Sequence, residues 1–552
     1  MDQRPAERPV FFNYRMKQPI SNAFQVSGFR VLFLCFLMVV VPASLMAQQA
    51  ERPDFCTQSR LESLIPIRPG IPGKRPFWNG HAGKFTYAPA FSNENKNWIV
   101  PDPAYYLYTA FSFTDKQTRS FRDTSAQSAL TPIWGELPAG QVYLTTEAVS
   151  GDGKNRVLAG SRLFFKTSSF CPPYPAARVP YTDALMKGLK FMFNQPHIQH
   201  WYSSGKPDHQ EHELYCYSAV EVGSVINAML LYHKYFPDND TALTIAEKAA
   251  GFILENAEPA GAPLAYFPMA YDGNAKFAGN YRGEIIMHEP ATTGLTFLAL
   301  YDRTHDRRYL NAAVHIAETY RKTQLDCGTW YIRINKDSGK PAAETLCIPA
   351  NIINFLSELT GRYQYTEYTA TLNAATRWMW ENPMQTWDWT GQFEDVAAQK
   401  PYENLTKYEA SWFAMYLLNH ATENPSYADA ALELIAFCED QFVVWDKPGI
   451  YDTWGNASDG WHTPAVLEQY KCYVPIDASA VQMITTFSVA FQKTGNPLYR
   501  EKARALAASV VNTQEESGRI PTFWAPGFTE FWNNCMTSSL GMLDRVNSIS
   551  GF

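Results

Sequence analysis

The sequence predicts a mainly helical protein in which an (α/α)6 toroid, a ring of six inner and six outer helices, follows a small antiparallel β-sandwich. Three observations predict this architecture. Twelve helical segments follow residue 180, apolar segments alternate with amphipathic ones, and short connections alternate with long ones. Hydrophobic residues make up 46% of the 552 residues and charged residues 18%, which is typical of a globular chain with a large core.

The first series of helical segments is apolar on nearly every side. Its members begin near Leu214, Pro290, Pro349, Leu405, Pro475 and Asn534. A helix that is apolar all round is buried all round, so we expect these six segments to form the inner ring. Several of them start with proline, which is tolerated in the first turn because the missing N–H would have no helical partner there.

The second series is amphipathic, as an outer layer should be. It covers approximately residues 182–194, 241–256, 307–323, 364–380, 427–442 and 497–512. Inner segments lead to outer ones through short polar turns, whereas the return loops run over roughly 15 to 35 residues, well above the usual connection length. Since such long loops are usually functional, we expect the site at the N-terminal ends of the inner helices, where the helix dipole favours negative charge.

The N-terminal part of the chain predicts an export signal and a β-domain. The apolar run from Val31 to Val41 follows Arg30, is too short to cross a bilayer, and leads to small residues ending at Ala47. Residues 1–47 are therefore predicted to be a signal peptide, and the protein to be periplasmic or extracellular without membrane insertion. Short β-rich runs between Pro and Gly turns predict a sandwich of the fibronectin III or immunoglobulin type over 55–172. The toroid then occupies 178–552.

The cysteine spacing and the net charge indicate which disulfides, metals and macromolecular partners to expect. The pairs Cys56–Cys171 and Cys327–Cys347 each bracket one segment and are plausible disulfides in an oxidising compartment. The nine cysteines include no C-x-x-C spacing, so we expect no structural zinc. The cluster Glu211-His212-Glu213 could suggest another metal, but adjacent residues do not share a helix face, so we predict neither a metal nor a cofactor. The net charge of -7 argues against a nucleic-acid partner.

The long loops carry the candidate functional residues. Cleavage of a glycosidic bond needs one carboxylic acid and one carboxylate, and flat aromatic rings suit the faces of sugars. The acidic candidates are Glu284, Glu213, Asp459, Asp388 and Glu403. The candidates for substrate binding are His212, His288, Arg282, Tyr281, Trp389, Trp461, His462, Tyr473, Trp524 and Trp532. Composition alone does not choose among the acids, since a helix-capping or loop-bracing role is open for each.

Two short stretches resemble the unsaturated glucuronyl hydrolases and their rhamnogalacturonyl relatives, which are (α/α)6 enzymes. Glu284-Ile-Ile-Met287-His-Glu-Pro290 has the spacing of that family's Asp-x-x-Met-x-x-Pro segment, and His212-Glu213-Leu214-Tyr215 is similar to its His-Asp-Leu-Gly-Phe segment. The resemblance implies that Glu284 takes the place of the general acid/base Asp, and Glu213 that of the second acid. Both positions carry Glu where the family has Asp, and the family's Arg-Gly-(Asn/Gln)-x-Trp segment has no counterpart over 387–408. The chain therefore looks like a distant relative of that family and not like a member of it.

The sequence therefore predicts an exported glycoside hydrolase that acts on uronic-acid-containing glycans, from an end. Glu284 and Glu213 are the first catalytic candidates, with Asp459, Asp388 and Glu403 in reserve. The alternative is a polysaccharide lyase or uronyl C5-epimerase with a Tyr or His base, for which the chain offers Tyr281, Arg282, His288, Asn404 and Tyr473. A glycan-binding protein without catalysis is the third hypothesis, because the aromatic residues alone would suffice for it.

Overall fold

The structure is a computed structural model. It describes residues 86–87, 103–124, 128–166, 168–272, 281–392, 406–447, 460–468, 475–549 and 552. Several of the residues singled out in the sequence lie outside these ranges, namely the signal peptide 1–47, Cys56, Glu403, Asn404, Asp459 and Tyr473. The predictions made for them stay predictions.

Twelve helices of twelve or more residues follow residue 180 in the described part of the chain. In chain order they are α1 (Tyr181–Phe193), α2 (Ser218–Tyr235), α3 (Asp240–Glu255), α4 (Glu289–Thr304), α5 (Arg307–Thr323), α6 (Ala350–Gly361), α7 (Thr369–Glu381), α8 (Tyr408–Asn419), α9 (Ser426–Phe442), α10 (Asp477–Thr494), α11 (Pro497–Thr513) and α12 (Asn533–Ser548). Every predicted helix is present, and the starts differ from prediction by five residues or fewer. Among the inner helices the largest difference is at Leu214, because a 3-10 turn, Glu213–Cys216, precedes α2.

The even-numbered helices form a closed inner ring. Each contacts the next along the ring, from α2 through α4, α6, α8 and α10 to α12, and α12 contacts α2. The outer helices α3, α5, α7, α9 and α11 each pack on the inner helix that precedes them, while α1 packs on α12. This closure confirms the predicted (α/α)6 toroid.

Side-chain caps start several outer helices directly after the short turns. The side chains of Asn239, Asp306 and Asn496 accept hydrogen bonds from the backbone N–H groups of Thr241, Arg308 and Leu498. Asn and Asp are favoured at this position because their oxygens satisfy N–H groups that lack a helical partner. The polar turns that the sequence shows are therefore where the chain reverses from the inner to the outer layer.

The inner ring is tightly packed between α4 and α6. Gly294 lies against the buried ring of Phe355, and a Cβ atom at position 294 would come within 2.9 Å of three ring carbons. We expect Gly294→Ala to lower the free energy of unfolding by about 1–3 kcal/mol, because the rigid ring has to move. The matched control is Gly223→Ala in α2, where the nearest atom lies 3.9 Å away and better helix propensity should leave stability equal or higher. Equal denaturant midpoints for the two variants would contradict the close approach.

The prediction that the inner helices are buried on every side is wrong for the face that points to the ring axis. On α12, Ser538 and Gly541 are exposed although their neighbours are buried, and Asn534 and Arg545 on the same face are partly exposed. The physical reason is geometric. Six helices around a ring leave a central space that their side chains do not fill. The sequence does not reveal this face because Ser and Gly also occur in helix–helix contacts.

The strands form one larger sheet and several short pairs. In chain order they are β1 (Thr86–Tyr87), β2 (Tyr105–Ser112), β3 (Thr118–Asp123), β4 (Ser128–Ala129), β5 (Gly140–Val149), β6 (Arg156–Lys166), β7 (Glu284–Ile286), β8 (Arg333–Asn335), β9 (Val443–Val444) and β10 (Ala465–Val466). The larger sheet is antiparallel with the strand order β3-β2-β5-β6. The other strands form three two-stranded antiparallel sheets, β1–β4, β7–β8 and β9–β10. Within the described ranges no second sheet of comparable size faces it, so the β-sandwich and its boundaries stay predictions.

The segment after the sheet is anchored on the toroid. Phe170 is buried, and its ring centroid lies 4.7 Å from that of Trp445 and 5.2 Å from that of Tyr174. The backbone N–H of Arg178 donates to Asn512 Oδ1. The proline-rich stretch from Pro172 to Pro175, which joins the sheet to the toroid, is thus packed against the outer layer.

The cysteines agree only in part with the predicted pairs. Cys327 and Cys347 are free thiols, the first exposed and the second buried, so the predicted bond between them is wrong. The loop is held instead by backbone hydrogen bonds, such as that from Cys347 N to Trp330 O. Cys171 is disulfide-bonded, as predicted, and its partner lies outside the described residues.

Candidate active site

A cavity of about 950 Å³ opens at the N-terminal ends of the inner helices and continues into the ring. Side chains from all six inner helices line it, among them Val220, Thr292, Asn351, Trp412, Gln482 and Ser538. Residues of the long loops complete the mouth. The location is the one that the loop pattern predicts.

Six glutamates line the cavity among the described residues. They are Glu211, Glu213, Glu289, Glu409, Glu468 and Glu530. Glu213 begins the 3-10 turn before α2, while Glu289 and Glu409 lie in the first turns of α4 and α8. Carboxylates are favoured at these helix starts because the helix dipole and the free N–H groups attract negative charge. The arrangement supplies the acid and the base that hydrolysis of an acetal requires.

Glu409 has the environment of a general acid. Its side chain lines the cavity and is partly exposed, but Oε2 is buried and has no hydrogen-bond partner among the described residues. Burial raises the pKa of Glu409 to about 7, although the nearby ammonium group of Lys407 acts in the opposite direction. A carboxyl group of this kind keeps its proton near neutral pH and can donate it to a leaving oxygen.

Lys407 connects the start of α8 to the Glu468 segment. Its fully buried ammonium group donates to the backbone oxygen of Glu468 at 2.7 Å and to Ser479 Oγ at 2.5 Å. The Nζ atom also lies 3.9 Å from the centre of the Tyr408 ring. Burial lowers the pKa of Lys407. The lysine thereby fixes the backbone that carries Glu468 beside the helix that carries Glu409.

Two histidines line the cavity, and their hydrogen-bond partners differ. His212 Nε2 lies 2.8 Å from Glu221 Oε2, and its ring stacks on that of His197 at 4.8 Å between centroids. Burial and the charge of Arg333 lower the pKa of His288 to about 4, so its imidazole is neutral at pH 7. His288 Nδ1 is buried without a hydrogen-bond partner in the described part of the structure. Both were predicted as substrate binders and both reach the cavity.

An aromatic rim is contributed by the loop before α12. Its members Phe523, Phe528, Phe531 and Trp532 line the mouth. Trp532 stacks on Tyr217 with 5.6 Å between ring centroids, and Phe523 stacks on Phe528 at 5.1 Å. These contacts hold the rings as fixed apolar surfaces next to the acids. Of the predicted tryptophans, Trp532 is the one that the structure places here.

Glu284, the first catalytic candidate from the resemblance, is not among the residues that line the cavity. It begins β7, and its Oε2 is 3.9 Å from Arg333 Nη1. Arg333 is buried, donates to Tyr271 Oη at 2.9 Å and lies over the ring of Tyr281 at 4.1 Å. Burial raises the pKa of Glu284, and Arg333 opposes the shift. The role of Glu284 stays a prediction.

The remaining predicted residues lie away from the cavity lining. Trp389, Trp461 and Trp524 are buried in the toroid core, so these rings are not open to a sugar. Asp388 accepts a hydrogen bond from Thr390 Oγ1 at 2.5 Å, a loop-bracing contact. Arg282 and His462 are exposed outside the lining.

Sequence reasoning missed Glu409, Glu468 and the interior residue Trp412. A signal for two of them exists in the sequence. Glu409 and Trp412 are three residues apart in an otherwise apolar segment, so they share one helix face. A charged residue and a large amphipathic residue on the same face of an inner helix indicate the face that is not packed against neighbouring helices. For Glu468 no such signal exists, because the chain around it has no regular period.

Asp477 at the start of α10 predicts a pH effect on stability. It is fully buried, accepts a hydrogen bond from Ser539 Oγ at 2.9 Å, and burial raises its pKa to about 8. The folded state therefore keeps a proton that the unfolded state releases above about pH 4, so stability falls as pH rises towards 8. Between about pH 5 and pH 8 we expect wild type to lose roughly 3–4 kcal/mol more than Asp477→Asn. Parallel thermal midpoints for the two proteins across this range would contradict the shift.

The described residues contain no group of three or more His, Cys, Asp or Glu side chains arranged to hold a metal ion. None of the described helices combines the length and the apolar character that crossing a bilayer requires.

Comparison with known proteins gives similarity in fold alone. No protein-family model and no curated protein matches the chain. Among solved structures, a family 76 glycoside hydrolase from a bovine Bacteroides thetaiotaomicron strain is 12% identical, with a TM-score of 0.45, over 87% of this chain and 98% of that one. An unsaturated glucuronyl hydrolase specific for heparin is 11% identical, with a TM-score of 0.44, over 66% and 98%.

A third similar structure is the cellobiose 2-epimerase from Spirochaeta thermophila DSM 6192, at 12% identity and a TM-score of 0.45 over 67% of this chain and 98% of that one. At such identities no residue role is transferred from them, and the site is interpreted from its own side chains.

Proposed function

We propose that the protein is a glycoside hydrolase whose general acid is Glu409. The observation that carries the proposal is a buried carboxyl group that faces the cavity, has a pKa of about 7, and shares the lining with five further glutamates of the described residues. One of Glu213, Glu289 and Glu468 then serves as the ionised base or nucleophile. The aromatic rim and the hydroxyl and amide groups below it suit a ring with many hydroxyl groups.

The predicted preference for uronic acids needs a cation to hold the substrate carboxylate. Among the described lining residues the only Arg or Lys is Arg545, which lies near the far end of α12, whereas six glutamates surround the mouth. A uronate beside Glu409 would be repelled by these carboxylates. We therefore extend the proposed substrate class to neutral glycans and keep uronic-acid glycans as the second substrate class.

His288 favours one other reaction class. Its neutral imidazole faces the cavity and has the protonation state that a base needs. This is the lyase or epimerase alternative, in which a base removes a proton from a sugar carbon. It needs a carbonyl or carboxylate on the substrate that acidifies this proton.

A panel of neutral and uronic-acid oligosaccharides tests the proposal. Hydrolysis produces saturated saccharides, each pair of products heavier than the substrate by one water molecule. A product with a new conjugated double bond would identify a lyase, and an isomer of unchanged mass an epimerase. Loss of an existing double bond would identify the unsaturated-uronyl reaction. Retained binding without any product would leave a glycan-binding protein.

A further inference from the structure

The cavity continues past the glutamates into the ring, where none of its described lining residues carries a carboxylate. Below Glu409 it is lined by Trp412 and Met415 of α8, Thr485 of α10, and Ser538 and Gly541 of α12. Arg545 is the deepest lining residue of α12, eleven residues after Asn534, which corresponds to roughly 16 Å at 1.5 Å per residue. None of these interior residues carries a carboxylate, so the interior differs from the mouth.

Trp412 is the large side chain of this interior. It follows Glu409 by three residues, which places it on the same helix face and about 4.5 Å further into the ring. The flanking residues Ser411 and Phe413 are fully buried, whereas Trp412 is partly exposed and lines the cavity. An indole beside Ser, Thr and Asn side chains combines an apolar surface with hydrogen-bonding groups, as a sugar ring requires.

Resting on the proposed function, we propose that one sugar unit of the substrate binds inside the ring against Trp412, directly inward of Glu409, and that the glycan therefore enters end-first. The reason is the closed inner ring. A continuous glycan chain cannot leave through its wall, and the lining at the far end includes Arg545, whose guanidinium donates to Gln492 Oε1. A glycan that extends inward of the cleaved bond therefore ends within the ring. Trp412 is then a substrate-binding residue that sets the position of cleavage.

Two substrates that differ only at their ends test the mode of entry. We would compare an oligosaccharide that wild type hydrolyses with the same oligosaccharide carrying bulky groups on both ends. End-first binding predicts that the blocked form is hydrolysed at least about a hundredfold more slowly, and that the free form gives one short product from the start of the reaction. Equal rates for the two forms, or early products of many lengths, would overturn the proposal.

Variants at position 412 test the subsite itself. We expect Trp412→Ala to raise the Kd of the short product and the KM of the substrate about tenfold or more, and Trp412→Phe to restore most of the binding because a ring remains. Trp380→Ala is the matched control, since this indole is partly buried on outer helix α7 and stacks on Tyr427. It should affect the thermal midpoint alone. Unchanged KM and Kd in both Trp412 variants, with the proteins folded, would overturn the subsite.

The two proposals fail in distinguishable ways. Wild type that hydrolyses no glycan, or an active Glu409→Gln variant, removes the proposed function and this inference with it. Hydrolysis that depends on Glu409 but proceeds equally on blocked glycans removes the end-first mode alone.

Discussion

Glu409→Gln is expected to lower kcat/KM by about a hundredfold to ten-thousandfold, the usual contribution of a positioned general acid. Glutamine has nearly the same shape as a protonated glutamic acid, but it cannot transfer a proton to the leaving oxygen. Because burial raises the pKa of Glu409 to about 7, the acid form predominates below that pH. The kcat/KM of wild type should therefore fall as pH rises through about 7. The measurement is the pH profile of kcat/KM for both proteins on the substrate found in the panel.

Two further variants make this experiment decisive. Glu358→Gln changes an exposed glutamate of α6 that does not line the cavity, and it should leave kcat/KM unchanged. Glu284→Gln tests the assignment implied by the resemblance to the unsaturated glucuronyl hydrolases. Loss of turnover in Glu284→Gln together with full activity in Glu409→Gln would reverse our assignment of the acid.

The Glu409→Gln protein should also fold at least as well as wild type. Above pH 7 the folded wild type has to hold an ionised carboxylate in a buried position, which costs stability that glutamine does not lose. The thermal midpoint of the variant should thus equal or exceed that of wild type at alkaline pH. A large fall in the midpoint would show that lost activity reflects unfolding.

Among the variants proposed, Trp201→Ala is expected to lower the free energy of unfolding most. The expected loss is about 3–5 kcal/mol, the usual range when a large aromatic side chain is removed from a core. Trp201 is completely buried, and its indole N–H donates to Tyr215 Oη at 2.9 Å. Its ring also meets that of Phe252 edge-on at 5.6 Å. Trp201 lies in a short helix, Pro196–Ser204, within the long connection between α1 and α2, and its contact with Phe252 fastens that connection to outer helix α3. Denaturant unfolding measures the effect.

The neighbouring residue supplies the control for this prediction. Tyr202 is 49% exposed, so Tyr202→Ala should change the free energy of unfolding by less than about 1 kcal/mol. Since Tyr215 belongs to the same 3-10 turn as Glu213, Trp201→Ala should also displace Glu213 and alter activity more than Tyr202→Ala does. Equal unfolding midpoints for the two variants would contradict the proposed anchoring.

The sequence by itself determined the order of helices, their two layers and the side of the ring at which the cavity opens. Hydrophobic period, Asn and Asp caps, and the alternation of short and long connections are local properties, so they can be read without knowledge of distant contacts. Local patterns also identified four residues of the cavity lining, because each lies in a long loop or at a helix start. These are Glu213, His212, His288 and Trp532.

Only the tertiary structure decided which of the loop residues face the cavity. Trp389 and Trp524 are buried whereas Trp532 is not, and Glu284 lies beside Arg333 whereas Glu409 faces the cavity. The direction of a side chain in an irregular loop depends on contacts that are remote in the chain. The pKa of Glu409 likewise depends on its burial and on Lys407. The ring therefore follows from local patterns, whereas the environment of Glu409 depends on the packing around it.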